Sequence, residues 1–158
     1  MYRILFVCHG NICRSVGAQY ILQNLVNLRN IDHAYFIDSA ATSSEEIGNP
    51  VYPPMKYALE KEMIPVGNHH ARQLRNSDYE KYDLLIGMDE ENIWNMKRMY
   101  SDDPENKIHL LTEYTGHPDV IIEDPWYTRR FSECVAQLEE GCVGLLEYLE
   151  NQRKSGRN

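Results

Sequence analysis

The residues best suited to chemistry are gathered in one short stretch, VCHGNICRS, at positions 7–15. It holds a thiol, Cys8, and a guanidinium, Arg14, with Gly10 and Asn11 between them and Ser15 after them. An apolar run precedes the stretch and a helical pattern follows it, so it reads as the turn between a strand and a helix N-terminus. In such a turn residues 9–13 curl with successive backbone N–H groups pointing inward, and the concavity binds anions at the positive end of the helix dipole. Gly10 tolerates positive φ, and asparagine is among the few other residues that do. Arg14 closes the far side with a planar fork suited to phosphate oxygens. The anion would thus be held by His9, Gly10, Asn11, Ile12, Cys13, Arg14 and Ser15.

Cys8 forms the floor. A free thiol titrates near 8.5, and a helix N-terminus with a nearby arginine lowers that to roughly 3.5–7.5, so Cys8 is expected to be a thiolate at neutral pH. A thiolate behind the phosphorus of a bound ester is placed for in-line attack and a covalent phosphocysteine. Ser15 could hydrogen-bond the sulfur and stabilise it as the leaving group of the second step. Blander readings stand beside this one. A cysteine and an arginine at this spacing recur by chance, and Cys8, His9 and Cys13 could be zinc ligands. The zinc reading lacks a fourth ligand at the usual spacing, and adjacent positions 8 and 9 tend to diverge. No metal and no cofactor are expected.

The elements that must position this stretch can be read from periodicity. Residues 3–7 form a short apolar run typical of a buried strand, and 34–40, 82–88 and, more weakly, 107–111 are further strand candidates. Ala18, Ile21, Leu22, Leu25 and Leu28 recur at helical spacing after Arg14. Helical patterns also cover about 54–63, a segment opening at Asp89 as N-cap, and about 131–150, where Phe131, Val135, Leu138, Cys142, Leu145 and Leu149 share a stripe. Strands alternating with helices predict a parallel sheet covered on both faces. Ligands of such sheets bind at the carboxyl ends of strands near a topological switch point, where residues 8–14 would lie.

The chain of 158 residues suits one domain, expected over 1–152, with 153–158 a polar, frayed tail. A formal net charge of −8 repels a long phosphate backbone, so nucleic acid is a poor partner. The start, MYRILFVCHG, is too short an apolar run for a secretory signal, and no later segment is apolar enough to span a membrane, so a cytoplasmic protein is expected. Four cysteines do not make a disulfide scaffold, and Cys134 and Cys142 read as core of the last helix.

The stretch VCHGNICRS resembles the low-molecular-weight protein tyrosine phosphatase family, whose signature is close to V-C-x-G-N-x-C-R-S. The resemblance continues through DSAATSSEEIGNP (38–50), HARQL (70–74), YDLLIGMDEEN (82–92) and IIEDPWY (121–127). It implies a flavodoxin-like three-layer sandwich with a four-stranded parallel sheet and helices on both faces. It also implies that Asp124 is the general acid, protonating the leaving phenolate and then taking a proton from the attacking water, work typically worth about 10²–10⁴-fold. Composition alone could not choose Asp124 over Asp38, Asp89, Asp119 or Glu123. The Ser39 hydroxyl is expected to hold Asn11, and His69 to support the same network. Cys13 is expected to form a reversible disulfide with Cys8 under oxidation; its other reading is a small buried hydrophobe. The implied partner is a tyrosine-phosphorylated protein or peptide, with inorganic phosphate as product and no membrane, acted on by a monomer.

Trp126 and Tyr127 could wall the cleft for a phenyl ring, with Ile12 adding apolar contact. A related branch acting on phosphoarginine looks as if it carries threonine at the position of Ile12, which argues against that substrate. Several residues depart from the commoner pattern: Val16 and Gly17 after the signature, Trp126 for a tyrosine, His9 at an often apolar position, and Glu45 where an aromatic often stands. Gly17 should weaken the first helical turn by up to about 1 kcal/mol. Arg129 and Arg130 either draw in acidic phosphopeptides or are merely solvated, the second being preferred. Two rivals remain: an arsenate reductase of the same fold, disfavoured because residues 14–133 contain no cysteine to relay a disulfide, and a phosphate- or flavin-binding module without turnover.

Overall fold

The structure, a computed structural model, describes residues 1–157. Its elements are β1 (Tyr2–Cys8), α1 (Arg14–Leu28), β2 (Tyr35–Ala41), α2 (Pro53–Lys61), α3 (Asp78–Lys81), β3 (Leu84–Gly87), α4 (Glu90–Met99), β4 (Ile108–Leu110), α5 (Pro125–Thr128) and α6 (Phe131–Gln152). The four strands are parallel in the order β2-β1-β3-β4. The chain leaves β1 for one neighbour and later returns to the other, so the switch point lies at the carboxyl end of β1. Cys8 is the last residue of that strand.

Side-chain alternation along β1 divides the core. Ile4, Phe6 and Cys8 face one cluster with Ile21, Leu22 and Val26 of α1 and Leu138, Cys142 and Leu145 of α6. Leu5 and Val7 face the other, with Tyr79 of α3 and Met96 of α4. Both sheet faces are therefore buried, which is why β1 reads as a continuous apolar run rather than an alternating one. The expected α1 stripe shifts at its end: Val26 is buried while Leu28 is exposed.

Gly17 has a reason that periodicity does not show. A Cβ there would lie 2.7 Å from Met55 Cε of α2 and 2.9 Å from Leu138 Cδ1 of α6. The glycine lets three helices meet, which offsets its cost to the helical turn. After α6 the chain keeps turning until Gly156, at φ 88°, breaks it, and Arg153 donates to both Glu150 carboxylate oxygens at 2.8 and 3.0 Å. Position 158 lies outside the described residues. Among the described residues no helix is long and apolar enough to cross a membrane.

Candidate active site

Residues 8–15 turn from β1 into α1 around a cleft of about 100 Å³ lined by Cys8, residues 9–14, Glu45, Glu46, Asp124, Trp126 and Tyr127. The backbone orientation follows from where the carbonyls go. Cys8 O accepts from Thr42 N at 2.9 Å, His9 O from Ser43 N at 3.1 Å, Ile12 O from Tyr52 N at 3.0 Å and Cys13 O from Gly17 N at 2.9 Å. Asn11 O accepts from His69 Nε2 at 2.7 Å. Each carbonyl points away from the loop, and in a planar trans peptide the next residue's N–H points the opposite way. The N–H edges of His9, Gly10, Ile12, Cys13 and Arg14 are thereby turned toward the cleft, as an anion nest requires.

The residue at positive φ is Asn11, at 61°, and not Gly10. Gly10 lies close under Glu46 instead: a Cβ there would stand 3.3 Å from Glu46 Cγ, a tight contact that the side chain would have to ease. Asn11 is fully buried and every polar group of its side chain is used. Its Nδ2 donates to Ser15 Oγ at 2.8 Å and Ser39 Oγ at 2.9 Å, and its Oδ1 accepts from Arg72 N at 3.1 Å. Ser39 Oγ in turn donates to Gln19 Oε1. The expected Asn11–Ser39 link is present, and so is the His69 support. Burial lowers the His69 pKa from its ordinary value, against the opposing pull of the bond to Asn11 O, so the ring donates from Nε2 as the neutral form.

Cys8 Sγ lies 3.1 Å from Ser15 Oγ and accepts from Ser15 N at 3.4 Å. Ser15 Oγ also accepts from Asn11 Nδ2 at 2.8 Å, which leaves it one lone pair and one O–H for the sulfur. All four cysteines are buried free thiols. Burial pushes the Cys13 thiol up, and pushes Cys134, beneath the same loop, up to about 12.

Arg14 is the hub of the site. Its Nη1 donates to Asp89 Oδ2 at 2.7 Å and to Ile122 O at 2.9 Å, and its Nη2 lies 3.7 Å from Asp124 Oδ2. Burial disfavours the cation, but Cys8, Asp89 and Asp124 outweigh it and hold the guanidinium above its ordinary pKa. The two carboxylates are built alike. Asp89 Oδ1 caps α4 by accepting from Asn92 N at 2.9 Å, and Asp124 Oδ1 caps α5 by accepting from Trp126 N at 3.0 Å. Each keeps its other oxygen for Arg14. The sequence reading assigned Asp89 only its capping role. The signal for more was its place just past β3, next to β1 at the switch point.

The profile of the family "Low molecular weight phosphotyrosine protein phosphatase" matches residues 3–155. The chain belongs to that family. It is 38% identical to the low molecular weight phosphotyrosine protein phosphatase of Gallus gallus over 148 residues, covering 91% of this chain and 93% of that one. It is similar in structure to YfkJ from Bacillus subtilis, with a TM-score of 0.93, 33% identity and 96% of each chain covered. A drosophila arginine phosphatase also matches, with a TM-score of 0.85 and 31% identity over 92% of this chain and 96% of that one.

In this family member the cleft walls differ from a plain aromatic slot. Trp126 is half-exposed and rests on Tyr52 with ring centroids 4.7 Å apart, while Tyr127 is 79% exposed. His9 Nε2 lies 3.0 Å from Glu45 Oε2, so the two expected wall residues bridge the cleft mouth rather than standing apart. Arg129 is exposed and does not line the cleft, and its guanidinium lies against aromatic rings. Its guanidinium lies 5.5 Å from the Tyr52 ring centroid and 5.2 Å from that of Phe131, and it donates to Tyr52 Oη at 3.1 Å and Trp126 O at 3.3 Å. Arg130 is exposed and pairs with Glu123 at 3.4 Å and Glu133 at 3.8 Å.

Proposed function

We propose that the protein hydrolyses phosphotyrosine monoesters of proteins or peptides through a phosphocysteine, with no metal or cofactor. The observation that carries the reading is a buried thiol and a buried guanidinium on one nest, with a carboxylate at its open side. Inward N–H groups and Arg14 hold the phosphoryl oxygens, and Cys8 Sγ attacks the phosphorus in line. Asp124 protonates the departing phenolate, then takes a proton from the water that cleaves the S–P bond. The Ser15 hydroxyl donates to the sulfur as it leaves. Trp126, Tyr127 and Ile12 contact the phenyl ring.

The test is turnover of p-nitrophenyl phosphate without added metal, inhibited by vanadate. Cys8→Ser should abolish turnover while phosphate still binds. An active Cys8→Ser protein would refute the assigned nucleophile. Phosphoarginine is the second reading, because a drosophila arginine phosphatase is among the matching structures. Ile12 on the cleft lining favours an aryl group over a guanidine, and matched phosphotyrosine and phosphoarginine peptides decide between the two. Peroxide should convert Cys8 to a sulfenic acid with release of water, and Cys13 should then displace a second water to close a disulfide. Four buried free thiols suit a reducing, cytoplasmic setting, and we take the working unit to be the monomer.

A further inference from the structure

The charge around the cleft does not match the phosphate it is proposed to hold. Arg14 is almost wholly buried at the floor, and the acidic residues on the lining are Glu45 and Glu46 at the rim together with Asp124, the proposed general acid. No lysine or second arginine lines the cleft among the described residues. The two arginines beside the acid loop are committed elsewhere: Arg129 to aromatic rings, Arg130 to Glu123 and Glu133. A phosphate dianion entering this mouth meets an anionic rim, on a chain of formal net charge −8.

The two rim glutamates are held in place. Glu45 is fixed by His9 at 3.0 Å. Glu46 lies across Gly10, with its Cγ 3.3 Å from where a Cβ would stand, and its Oε1 accepts from Asn49 Nδ2 at 2.8 Å. Glu46 has no cation within ion-pair distance among the described residues. Together with Ile12 and Trp126 it also borders a shallow apolar groove along Pro50 and Pro53, which continues the cleft. A peptide flank leaving the cleft along that groove passes directly over Glu46.

We propose that the substrates are phosphotyrosines with a basic side chain beside them, and that Glu45 and Glu46 read that charge. This rests on the phosphatase reading above and names its substrate class. A lysine or arginine next to the phosphotyrosine neutralises the rim as the phosphate enters, whereas an acidic neighbour meets like charge and is rejected. Glu46, free of a protein cation, carries the larger share, because His9 already occupies one carboxylate oxygen of Glu45.

The experiment compares kcat/KM for two phosphotyrosine peptides identical except for Lys or Glu on both sides, with p-nitrophenyl phosphate assayed alongside. At low salt the basic peptide should be preferred about tenfold, as expected for two exposed pairs together with relief of repulsion. The preference should shrink toward unity at about 1 M salt, where the Debye length is near 3 Å. Glu46→Gln should remove most of it, and Glu46→Gln with Glu45→Gln should bring the two peptides within about twofold. Equal rates for the two peptides, or a preference surviving the double substitution, would overturn the proposal while p-nitrophenyl phosphate is still cleaved. If p-nitrophenyl phosphate is not cleaved by the unaltered protein, the phosphatase reading falls, and this proposal with it.

Discussion

Residues 8–15 and residues 122–130 meet at Arg14, yet they are held by different kinds of force. The first segment is buried and knitted by hydrogen bonds: its outward carbonyls all have partners, and Asn11 uses every polar group it has. The second is largely exposed and held by Ile122 at one end, a four-residue helix capped by Asp124, and Arg129 lying on Tyr52 and Phe131. An anion nest must keep its donors fixed before the anion arrives, because reorganising them would forfeit the electrostatic gain. A general acid needs to be near the leaving group only as the bond breaks. The nest should therefore govern binding and stability, and the acid segment should govern rate.

The sharpest way to break that comparison is Asp124→Asn. Asparagine still caps α5 by accepting from Trp126 N, so the segment keeps its shape. Turnover of p-nitrophenyl phosphate should fall by about 10²–10⁴-fold, with vanadate affinity changed little. A rate within a few-fold of the unaltered protein would move the acid to another residue, and a large loss of vanadate binding would mean the segment also shapes the nest.

Asn11→Ala tests the other side. Alanine at φ 61° is strained, and the loss of the amide leaves the Arg72 N–H and a Ser39 lone pair without their partner. Stability should fall by roughly 2–4 kcal/mol, and phosphate affinity should weaken with it. Thermal unfolding and phosphate titration read both. Loss of rate with unchanged phosphate affinity would show that the network serves the chemistry and not the preformed nest.

The nest was the legible half because its determinants are local. A thiol, a residue tolerant of positive φ, a guanidinium and a serine in one stretch declare their joint use, and the strand and helix around them follow from apolar periodicity. Of the two residues there that tolerate positive φ, it is Asn11 that takes the left-handed conformation, while Gly10 sits against Glu46, a residue 36 positions away. What the sequence hid was contact across the fold. Asp89 reaches Arg14 only because β3 lies beside β1, Glu45 reaches His9 only because the chain after β2 crosses the mouth, and Arg129 meets Tyr52 from 77 positions away. No local pattern encodes those partners. Strand ends also moved: β3 and β4 are shorter than their apolar runs, β1 extends one residue past each end of its run and β2 is shifted by one, because pairing and not apolar composition sets where a strand stops.

Arg129→Ala refines the account of the acid segment. Two exposed cation–π contacts are worth about 0.5–1 kcal/mol each, so their loss loosens the turn without unfolding the protein. The rate should drop by about threefold to tenfold, with phosphate affinity unaltered. If phosphate affinity fell in step with the rate, the two regions would not be separable in the way their construction suggests.

The smallest effect concerns His69, which ties the nest to residues after α2. Its pKa is lowered in the folded protein by burial, so between that lowered value and the ordinary 6.5 the unfolded chain binds more protons than the folded one. Stability then rises with pH across this window. The contribution is full above about 6.5 and is lost as pH falls toward the folded value. His69→Gln removes the titration while keeping an amide that can donate to Asn11 O. Melting temperatures taken from pH 7 down to pH 5 should therefore fall less steeply for His69→Gln than for the unaltered protein, by a few degrees at most. Parallel slopes would mean that His69 accepts a proton in place without cost, and that the bond to Asn11 O tolerates the imidazolium as readily as the neutral ring.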